Sequence, residues 1–225
     1  MLTGAGMSAE SGVPTFRDAQ TGLWSRFDPM QLASEPGFRA DPLLVWRWYA
    51  GRRAAVAQAE PNAGHRALAA AEQSKRRLSI VTQNVDGLHR RAGSTHVNEI
   101  HGSITRTLCL ARCGYTEDDP ARLPAGEPPR CPRCGDWLRP GVVWFGEMLD
   151  SDQLAAAEEA AESSSVMLVV GTSGMVYPAA GLPSIARRAG AAVIVVNPAE
   201  SELDEVARFV LRGTAATVLP RLFAR

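Results

Sequence analysis

The sequence lacks an excess of either charge. Among its 225 residues, lysine and arginine together number 24 and aspartate and glutamate together also number 24, so the formal net charge is zero. Proteins that hold nucleic acid usually carry a basic stripe. The short cationic run Lys75–Arg77 fits the solvated end of a helix. We therefore expect no nucleic-acid partner.

Long apolar segments are absent as well. No stretch of the sequence reaches the roughly 20 apolar residues that a membrane-spanning helix needs, and no signal peptide opens the chain. We therefore expect a cytoplasmic protein with no membrane partner. Because the cytoplasm keeps thiols reduced, the four cysteines are more typical of a metal site than of two disulfides.

The cysteines fall into two close pairs. Three residues separate Cys109 from Cys113, two separate Cys131 from Cys134, and seventeen lie between the pairs. Cys113 and Cys134 are each followed by glycine, which allows the tight turn that directs backbone N–H groups at a thiolate. This arrangement predicts one structural zinc site, in which the first pair forms the wider turn. The polar segment 118–130 is typical of a small loop-rich module.

Short apolar runs alternate with helical patterns along the rest of the chain. Such alternation predicts an α/β fold with a doubly wound parallel sheet. The expected strands are Leu78–Val81, Val97–Ile100, Val166–Val170 and Ala192–Val196. The expected helices are Pro42–Ala59, His65–Arg77, Asp152–Glu162 and Pro178–Ala189.

Small or polar residues stand at the expected strand ends, in Gly4-Ala5-Gly6, Gln83–Asp86, Gly171–Ser173 and Asn197. Ligands of open α/β sheets bind just beyond the carboxyl ends of the strands. The convergence therefore predicts a dinucleotide site, although Gln83–Asp86 alone would fit an ordinary polar loop. The segment Gly4–Ala9 also matches G-x-G-x-x-G/A, whose glycines let the backbone approach a pyrophosphate at a helix N-terminus.

Two features disfavour an ordinary dehydrogenase. Only Met1–Thr3 precedes the glycine motif, so the expected first strand is almost absent, as if translation began further upstream. An acidic residue is expected about 20 positions later, at the end of a second strand. Asp28 is near that position, but it lies in a proline-containing loop.

Three features leave a functional and a structural interpretation open. Tyr49 and Arg52 are three residues apart and share one helical face. There a phenol and a guanidinium could grip a carboxylate, or a core-edge tyrosine could lie beside a solvated arginine. His101 ends a strand and precedes a glycine, which favours a general base over a structural role. The loop Gly12–Trp24 fits either a flap over a ligand or an aromatic-anchored surface loop.

Together these motifs resemble the sirtuins, the silent-information-regulator family of NAD-dependent protein lysine deacylases. The pair Tyr49-x-x-Arg52 resembles the class III members. The residues that carry the resemblance are Gly4–Ser8, Gly12–Arg17, Thr82–Asp86, His101-Gly102, the four cysteines, Val143–Glu147 and Gly171–Ser173. They follow the family's order across nearly the whole chain.

The resemblance implies a Rossmann-like doubly wound parallel sheet with a small zinc-binding module and a helical insertion. It implies a single sirtuin-type catalytic domain over residues 1–225. Within that domain, 1–24, 78–104 and 141–225 would form the NAD-binding part, 25–77 the helical insertion and 105–140 the zinc-binding module.

The resemblance also implies NAD as co-substrate and one structural Zn²⁺ held by Cys109, Cys113, Cys131 and Cys134. The implied cofactor-binding residues are Gly4, Ala5, Gly6, Ser8, Phe16, Arg17, Trp24, Gln83, Asn84, Val85, Asp86, Gly171, Thr172, Ser173, Asn197 and Ala215. Phe16 would screen the reacting carbon from water. Gln83 and Asn84 would contact the nicotinamide ribose, and Asp86 the nicotinamide carboxamide.

The implied partners are acylated lysine side chains of proteins, with nicotinamide as a product. The catalytic residues would be His101, as general base, and Asn84. The substrate-binding residues would be Tyr49, Arg52, Val143, Phe145 and Gly146, with Tyr49 and Arg52 reading the carboxylate of succinyl- or malonyl-lysine. The expected reaction removes acetyl, succinyl and malonyl groups from lysine and yields nicotinamide and O-acyl-ADP-ribose.

Three other interpretations remain at this point. Protein ADP-ribosyl transfer would use the same cleaved NAD bond. The short first strand leaves room for an NAD-binding protein without turnover. A zinc-ribbon module that recruits protein or nucleic acid is the third, but the neutral charge and the polar strand ends argue against it.

Overall fold

The computed structural model describes residues 1–13, 28–74, 77–119, 122–123 and 126–224. The described residues form two compact units. The first draws on Met1–Thr15, Glu60–Ile100 and Leu149–Arg225, and the second draws on Phe16–Ala59 and His101–Met148. Within the described ranges, no helix combines the length and the apolar character that crossing a bilayer requires.

Strands and helices alternate along much of the chain. The strands are β1 (Leu2–Thr3), β2 (Ile80–Thr82), β3 (Val97–Glu99), β4 (Gly102–Cys109), β5 (Thr116–Glu117), β6 (Leu138–Val142), β7 (Val166–Val170), β8 (Ala192–Val196) and β9 (Phe209–Leu211). The α-helices are α1 (Pro29–Leu32), α2 (Glu35–Ala40), α3 (Pro42–Gln58), α4 (Ala63–Gln73), α5 (Leu88–Arg91), α6 (Ser151–Glu162), α7 (Leu182–Arg188) and α8 (Ala215–Phe223).

A six-stranded parallel sheet forms the centre of the first unit, in the order β3-β2-β1-β7-β8-β9. The chain winds outward in both directions from the middle, where β1 pairs with β2 on one side and with β7 on the other. The strand order reverses at this point, which is where open α/β sheets bind ligands. The predicted doubly wound sheet is confirmed.

Alternate residues of the central strands build two cores, one on each face of the sheet. Val169 and Val193 pack with buried residues of α6 and α7. Val170 and Val196 pack with buried residues of α4 and α8. Because side chains alternate between the faces of a strand and both faces are covered, β7 and β8 are continuous apolar runs.

The largest differences from the predicted helix bounds occur in two helices and have local reasons. Helix α4 begins at Ala63 because the Asn62 side chain accepts the backbone N–H of Gly64 at 2.9 Å, which caps the helix two residues earlier than expected. The predicted helix Pro178–Ala189 opens as a 3₁₀ turn, Ala179–Gly181, before α7 begins with a proline in its first turn.

The second unit combines helices α1–α3 with a three-stranded antiparallel sheet in the order β5-β4-β6. Side-chain oxygens of Asp28, Ser34 and Asp41 cap the three helices by accepting backbone N–H groups. Helix α3 buries Trp46 and Tyr49. These caps fix where each helix starts, and therefore where the aromatic side chains of α3 lie.

Candidate active site

Two glycine-bearing backbones touch at the centre of the parallel sheet. The amide of Gly4 donates to the carbonyl of Val170 at 3.0 Å, and the amide of Gly6 donates to the carbonyl of Gly171 at 2.8 Å. A Cβ on Gly6 would lie 2.8 Å from Cα of Gly171, and one on Gly171 would lie 2.5 Å from the carbonyl carbon of Gly6. Gly171 also has a φ of +61°. Both positions therefore require glycine, and the glycine loop lies directly against the end of β7.

A buried polar cluster joins the glycine loop to the end of β2. The Ser8 hydroxyl donates to Oδ2 of Asp86 at 2.7 Å, and Nδ2 of Asn84 donates to Oγ of Ser8 at 3.1 Å. The backbone N–H of Leu88 donates to Oδ1 of Asp86 at 2.9 Å. Ser8, Asn84 and Asp86 are at most 9% exposed. The structure thus brings these three candidate residues into one hydrogen-bonded group.

A second polar cluster gathers around Thr172, just beyond β7. Nε2 of Gln83 donates to Oγ1 of Thr172 at 3.0 Å, and Nδ2 of Asn197 donates to the Thr172 carbonyl at 3.4 Å. Ser173 beside it is exposed, and Ala215 is buried at the start of α8. Residues from the ends of β2, β7 and β8 therefore meet along one edge of the sheet.

Two buried histidines lie in the first unit among residues that hold the glycine loop. Their ring centroids are 4.8 Å apart, and Nε2 of His89 lies 3.0 Å from Oγ1 of Thr3. Nδ1 of His65 accepts the N–H of Asn62, whose side chain in turn donates to the carbonyl of Met7. Burial, reinforced by the nearby His65, lowers the pKa of His89 to about 3. Burial and the charge of Arg66 lower the pKa of His65 to about 4. Both rings are therefore neutral at physiological pH.

The second unit holds the remaining candidate side chains. His101 lies in the turn between β3 and β4, and its carbonyl accepts the N–H of Val143 at 2.9 Å. Tyr49 and Arg52 lie on α3, as predicted, but Tyr49 is only 2% exposed. Burial raises the pKa of the Tyr49 phenol, against the opposing charge of Arg52. The tyrosine is therefore a neutral hydrogen-bonding group beside a cation.

An apolar turn follows β6 in the same unit. The amide of Phe145 donates to the carbonyl of Ala33 at 2.9 Å, while its side chain is 45% exposed. Gly146 has a φ of +85°, and the neighbouring Met148 is 90% exposed. The backbone of this turn is anchored while its large apolar side chains face outward.

The four cysteine sulfurs lie within 4.8 Å of one another. Sγ of Cys109 is 3.3 Å from Sγ of Cys134, and Sγ of Cys113 is 3.5 Å from Sγ of Cys131. Tetrahedral zinc with bonds near 2.3 Å places its sulfur ligands about 3.8 Å apart. Desolvation opposes ionisation of Cys131, but backbone N–H groups of Arg133 and Cys134 lower its pKa to about 7. The cluster can bind one zinc ion, and the wider first pair reaches the site.

A comparison with known proteins decides the family. A family model described as the Sir2 family matches residues 4–178. The chain belongs to the Sir2 family. This membership confirms the sirtuin resemblance carried by the motifs.

The chain is similar to several named members of the Sir2 family. It is 56% identical to the NAD-dependent protein deacylase of Ralstonia nicotianae, in a match that covers 100% of this chain and 90% of that protein. It is 52% identical to the NAD-dependent protein deacylase of Mycolicibacterium paratuberculosis, with 100% and 96% covered. The solved structure of a Sir2 homologue–NAD complex is 45% identical, has a TM-score of 0.93, and is matched over 99% of this chain and 86% of that one.

The candidate residues of this Sir2 family chain separate into two groups. The first unit holds Gly4, Ala5, Gly6, Ser8, Gln83, Asn84, Val85, Asp86, Gly171, Thr172, Ser173, Asn197 and Ala215, and the second holds Tyr49, Arg52, His101, Val143, Phe145, Gly146 and the four cysteines. Phe16, Arg17 and Trp24 lie outside the described residues.

Sequence reasoning missed one buried ion pair and the histidine pair. The side chain of Arg139 is only 5% exposed, and its guanidinium pairs with the carboxylate of Glu147, at 3.1 Å between Nη2 and Oε2. Desolvation works against ionisation of Glu147, but hydrogen bonds from Arg139 and the Trp144 amide lower its pKa. The burial of Arg139 could not be predicted, because a single arginine inside a strand does not belong to a hydrophobic pattern. The capping pattern Asn62-x-x-His65 was a detectable signal for one of the two histidines.

Removal of the metal should destabilise this Sir2 family protein. The purified protein should contain one zinc per chain by elemental analysis, because four thiolates complete a tetrahedral site. Stripping it with a strong chelator should lower the melting temperature by about 5 °C or more, and added zinc should restore it. Cys131→Ser should bind less than one zinc per chain, because it removes one of the four thiolates. A full zinc complement in that variant would contradict the four-cysteine site.

Acid should destabilise the folded state through the two buried histidines. Their pKa values are about 4 and about 3 in the folded chain and about 6.5 in an unfolded one, so the unfolded chain binds more protons. The contribution of these two histidines to the free energy of unfolding should therefore be largest above about pH 6.5. Between about pH 6.5 and pH 4 it should fall by up to about 1.4 kcal/mol per pH unit for each histidine.

Urea unfolding at about pH 7.5, 6 and 5 measures this slope. His89→Gln should flatten it, because it removes one of the two buried rings that must be protonated on acidification. Identical slopes in wild type and His89→Gln would show that the acid sensitivity comes from other groups.

Proposed function

We propose that the protein is an NAD-dependent protein lysine deacylase that releases nicotinamide, free lysine and O-acyl-ADP-ribose. The observation that carries the proposal is the hydrogen-bonded group of Ser8, Asn84 and Asp86 at the reversal point of the parallel sheet. That location is the ligand-binding point of doubly wound sheets. The names of the family relatives support the same activity.

The residues at the strand ends would bind NAD. Gly4, Ala5 and Gly6 would approach the phosphates. Their support is the position of the loop against the end of β7, where a side chain at Gly4 or Gly6 would collide with Gly171. Thr172, Ser173 and Asn197, with the backbone near Ala215, would hold the adenosine half. Their support is the cluster around Thr172, which fixes Gln83 and Asn197 relative to β7.

Asn84 and Asp86 would hold the reacting end of NAD. Asp86 would contact the nicotinamide carboxamide, and Gln83 and Asn84 would contact the ribose beside it. Val85, between them, would also bind NAD. In the first step, the acyl oxygen of the substrate bonds to the ribose carbon while the bond to nicotinamide breaks and its electron pair leaves with nicotinamide. Orientation supplies much of the rate in such a step, because an amide oxygen is a weak nucleophile.

His101 would act as general base. A ribose hydroxyl attacks the acyl carbon in the second step, and the imidazole of His101 would accept the proton of that hydroxyl. Water then adds to the acyl carbon, and the bond from that carbon to the lysine nitrogen breaks, so that the amine leaves with the electron pair and the acyl group stays on ADP-ribose. Phe16 would screen the reacting carbon from water, and Arg17 and Trp24 would contact NAD; these three lie outside the described residues. Zinc would have no part in the reaction, since four thiolates leave no open position.

Val143, Phe145 and Gly146 would bind the acylated lysine peptide. An extended peptide adds to an exposed backbone edge in many proteins. The support here is an outward-facing Phe145 on a backbone anchored to Ala33, which suits contact with an apolar acyl-lysine stem.

Tyr49 and Arg52 would select acidic acyl groups, so that the enzyme removes succinyl and malonyl groups as well as acetyl. The phenol of Tyr49 stays protonated, and Arg52 carries a permanent charge one helical turn away. A carboxylate accepts hydrogen bonds from both groups, whereas a methyl group accepts none.

The domain assignment also remains a proposal. Residues 1–225 would act as one catalytic domain, with 25–77 as the helical insertion and 105–140 as the zinc-binding module. The cytoplasmic location expected from the sequence stays a prediction.

Product analysis tests the proposed activity. Mass spectrometry of reactions with NAD and acetyl- or succinyl-lysine peptides should show O-acyl-ADP-ribose and the deacylated peptide in equal amounts. His101→Tyr should lower turnover by about 100-fold or more, as expected for loss of a general base, with zinc content and melting temperature retained. Nicotinamide release that needs no acyl peptide and leaves ADP-ribose on protein would instead identify ADP-ribosyl transfer.

Substitution of Arg52 tests acyl selection. Arg52→Met should lower kcat/KM for a succinyl peptide about 10- to 100-fold more than for the acetyl peptide, because it removes a charged hydrogen bond to the carboxylate. The matched control is Arg47→Met, at an exposed position of the same helix. An equal loss on both peptides would rule out carboxylate reading by Arg52.

A further inference from the structure

A hydrogen bond joins Trp144 to Tyr49 inside the second unit. The indole Nε1–H of Trp144 donates to the Tyr49 hydroxyl oxygen at 3.1 Å, and each residue is 2% exposed. An indole nitrogen can donate but cannot accept. The Tyr49 oxygen must therefore be the acceptor, and the single proton of the phenol is left to donate to another partner.

Two contacts of the ring and one hydrogen bond of the backbone hold Trp144 in place. The guanidinium carbon of Arg139 lies 3.4 Å from the centroid of its ring, and the ring of Phe38 lies 5.4 Å away at a tilt of 36°. The backbone N–H of Trp144 donates to Oε2 of Glu147 at 2.8 Å. Rotating the indole would disturb the stacking on Arg139, which is itself held by the buried Glu147.

The charges around Tyr49 suit an anionic ligand. Arg139 neutralises Glu147, the carboxylate that acts on Tyr49. The guanidinium carbon of Arg52 lies 5.8 Å from the centroid of the Tyr49 ring and 4.8 Å from that of Trp48. A phenol that must donate and an arginine cation therefore occur together, with the nearby negative charge already compensated.

We infer that Trp144 is a positioning residue for acyl selection, which fixes the Tyr49 hydroxyl as a donor to the carboxylate of an acidic acyl-lysine. The inference rests on the proposed lysine deacylase function. A hydroxyl that is free to rotate can turn its lone pairs toward the ligand and repel a carboxylate. A hydroxyl whose oxygen already accepts a bond from Trp144 presents its proton instead. Neutral acyl groups offer no carboxylate and are therefore insensitive to this orientation.

The experiment compares one peptide carrying succinyl-, butyryl- or acetyl-lysine. Butyryl has the same number of carbons as succinyl, with a methyl group in place of the carboxylate. The readout is the ratio of kcat/KM for succinyl to that for butyryl, measured by nicotinamide release with saturating NAD. Trp144→Phe keeps an aromatic ring but removes the N–H, and should lower the ratio about three- to tenfold, as expected for one hydrogen bond.

A double-mutant cycle shows whether Trp144 acts through Tyr49. Tyr49→Phe should lower the ratio at least as much as Trp144→Phe, and the double variant should be no lower than Tyr49→Phe alone. The matched control is Trp137→Phe, a tryptophan of the same unit that lies 3.3 Å below the guanidinium of Arg130. It should leave the ratio at the wild-type value.

An isostere of tryptophan tests whether Trp144→Phe acts through loss of the N–H or through altered packing. Benzothienylalanine introduced at position 144 keeps the bicyclic shape and replaces only the N–H by sulfur, and it should lower the ratio by the same factor at an unchanged melting temperature. An unchanged ratio in this protein, or a double variant with additive losses, would overturn the inference while leaving deacylation intact. No turnover of any of the three peptides by wild type would overturn the proposed function, and the inference with it.

Discussion

The contact between the backbones of Gly6 and Gly171 is the constraint on which the first unit depends. The two backbone segments are packed without a gap, since a single added carbon at either glycine would overlap the backbone of the other segment. The loop after β1 is consequently held at a fixed distance from the end of β7. Ser8, two residues further along that loop, can then reach both Asn84 and Asp86. The polar group at the strand ends is thus a result of backbone packing as much as of side-chain chemistry.

In the second unit, the corresponding constraint is a buried ion pair. Burying an arginine and a glutamate costs free energy unless hydrogen bonds compensate both groups. Arg139 and Glu147 are bonded to each other, to the Trp144 amide and to the Val142 carbonyl. Such a pair is a weak source of stability, because an apolar pair of the same size would serve as well. Its effect here is to define the conformation of the turn that carries Trp144 and Phe145.

Much of the fold could be predicted from local sequence patterns, because these patterns follow directly from side-chain burial and backbone geometry. Val166–Val170 and Ala192–Val196 are short apolar runs typical of largely buried parallel strands, and glycine spacing marks where a backbone must come close. The cysteine pairs could be interpreted for the same reason, since two close pairs, each followed by glycine, are a local pattern typical of a zinc site.

The features that escaped prediction are contacts between residues far apart in the chain. Nothing local in Trp144 indicates that its indole bonds to Tyr49, or that Arg139 is buried against expectation for its type. The pairing of His65 with His89 depends equally on how α4 and α5 pack. Such contacts depend on the finished tertiary structure, which composition and periodicity do not encode. Tyr49 shows the effect most clearly: its helical face was predicted, but its burial was not.

The position of β1 has a consequence for how the chain folds. The strand at the middle of the sheet precedes the other five strands of that sheet in the sequence, yet Leu2 pairs with Val81 and with Val169, so one of its partners lies far along the chain. Closing such long loops costs conformational entropy before the contacts of the parallel pairing can compensate for it. Local contacts among β7, α7 and β8 are expected to form earlier. The floor of the dinucleotide site would then be among the last parts of the sheet to take shape, and an incomplete chain would expose it as an unpaired edge.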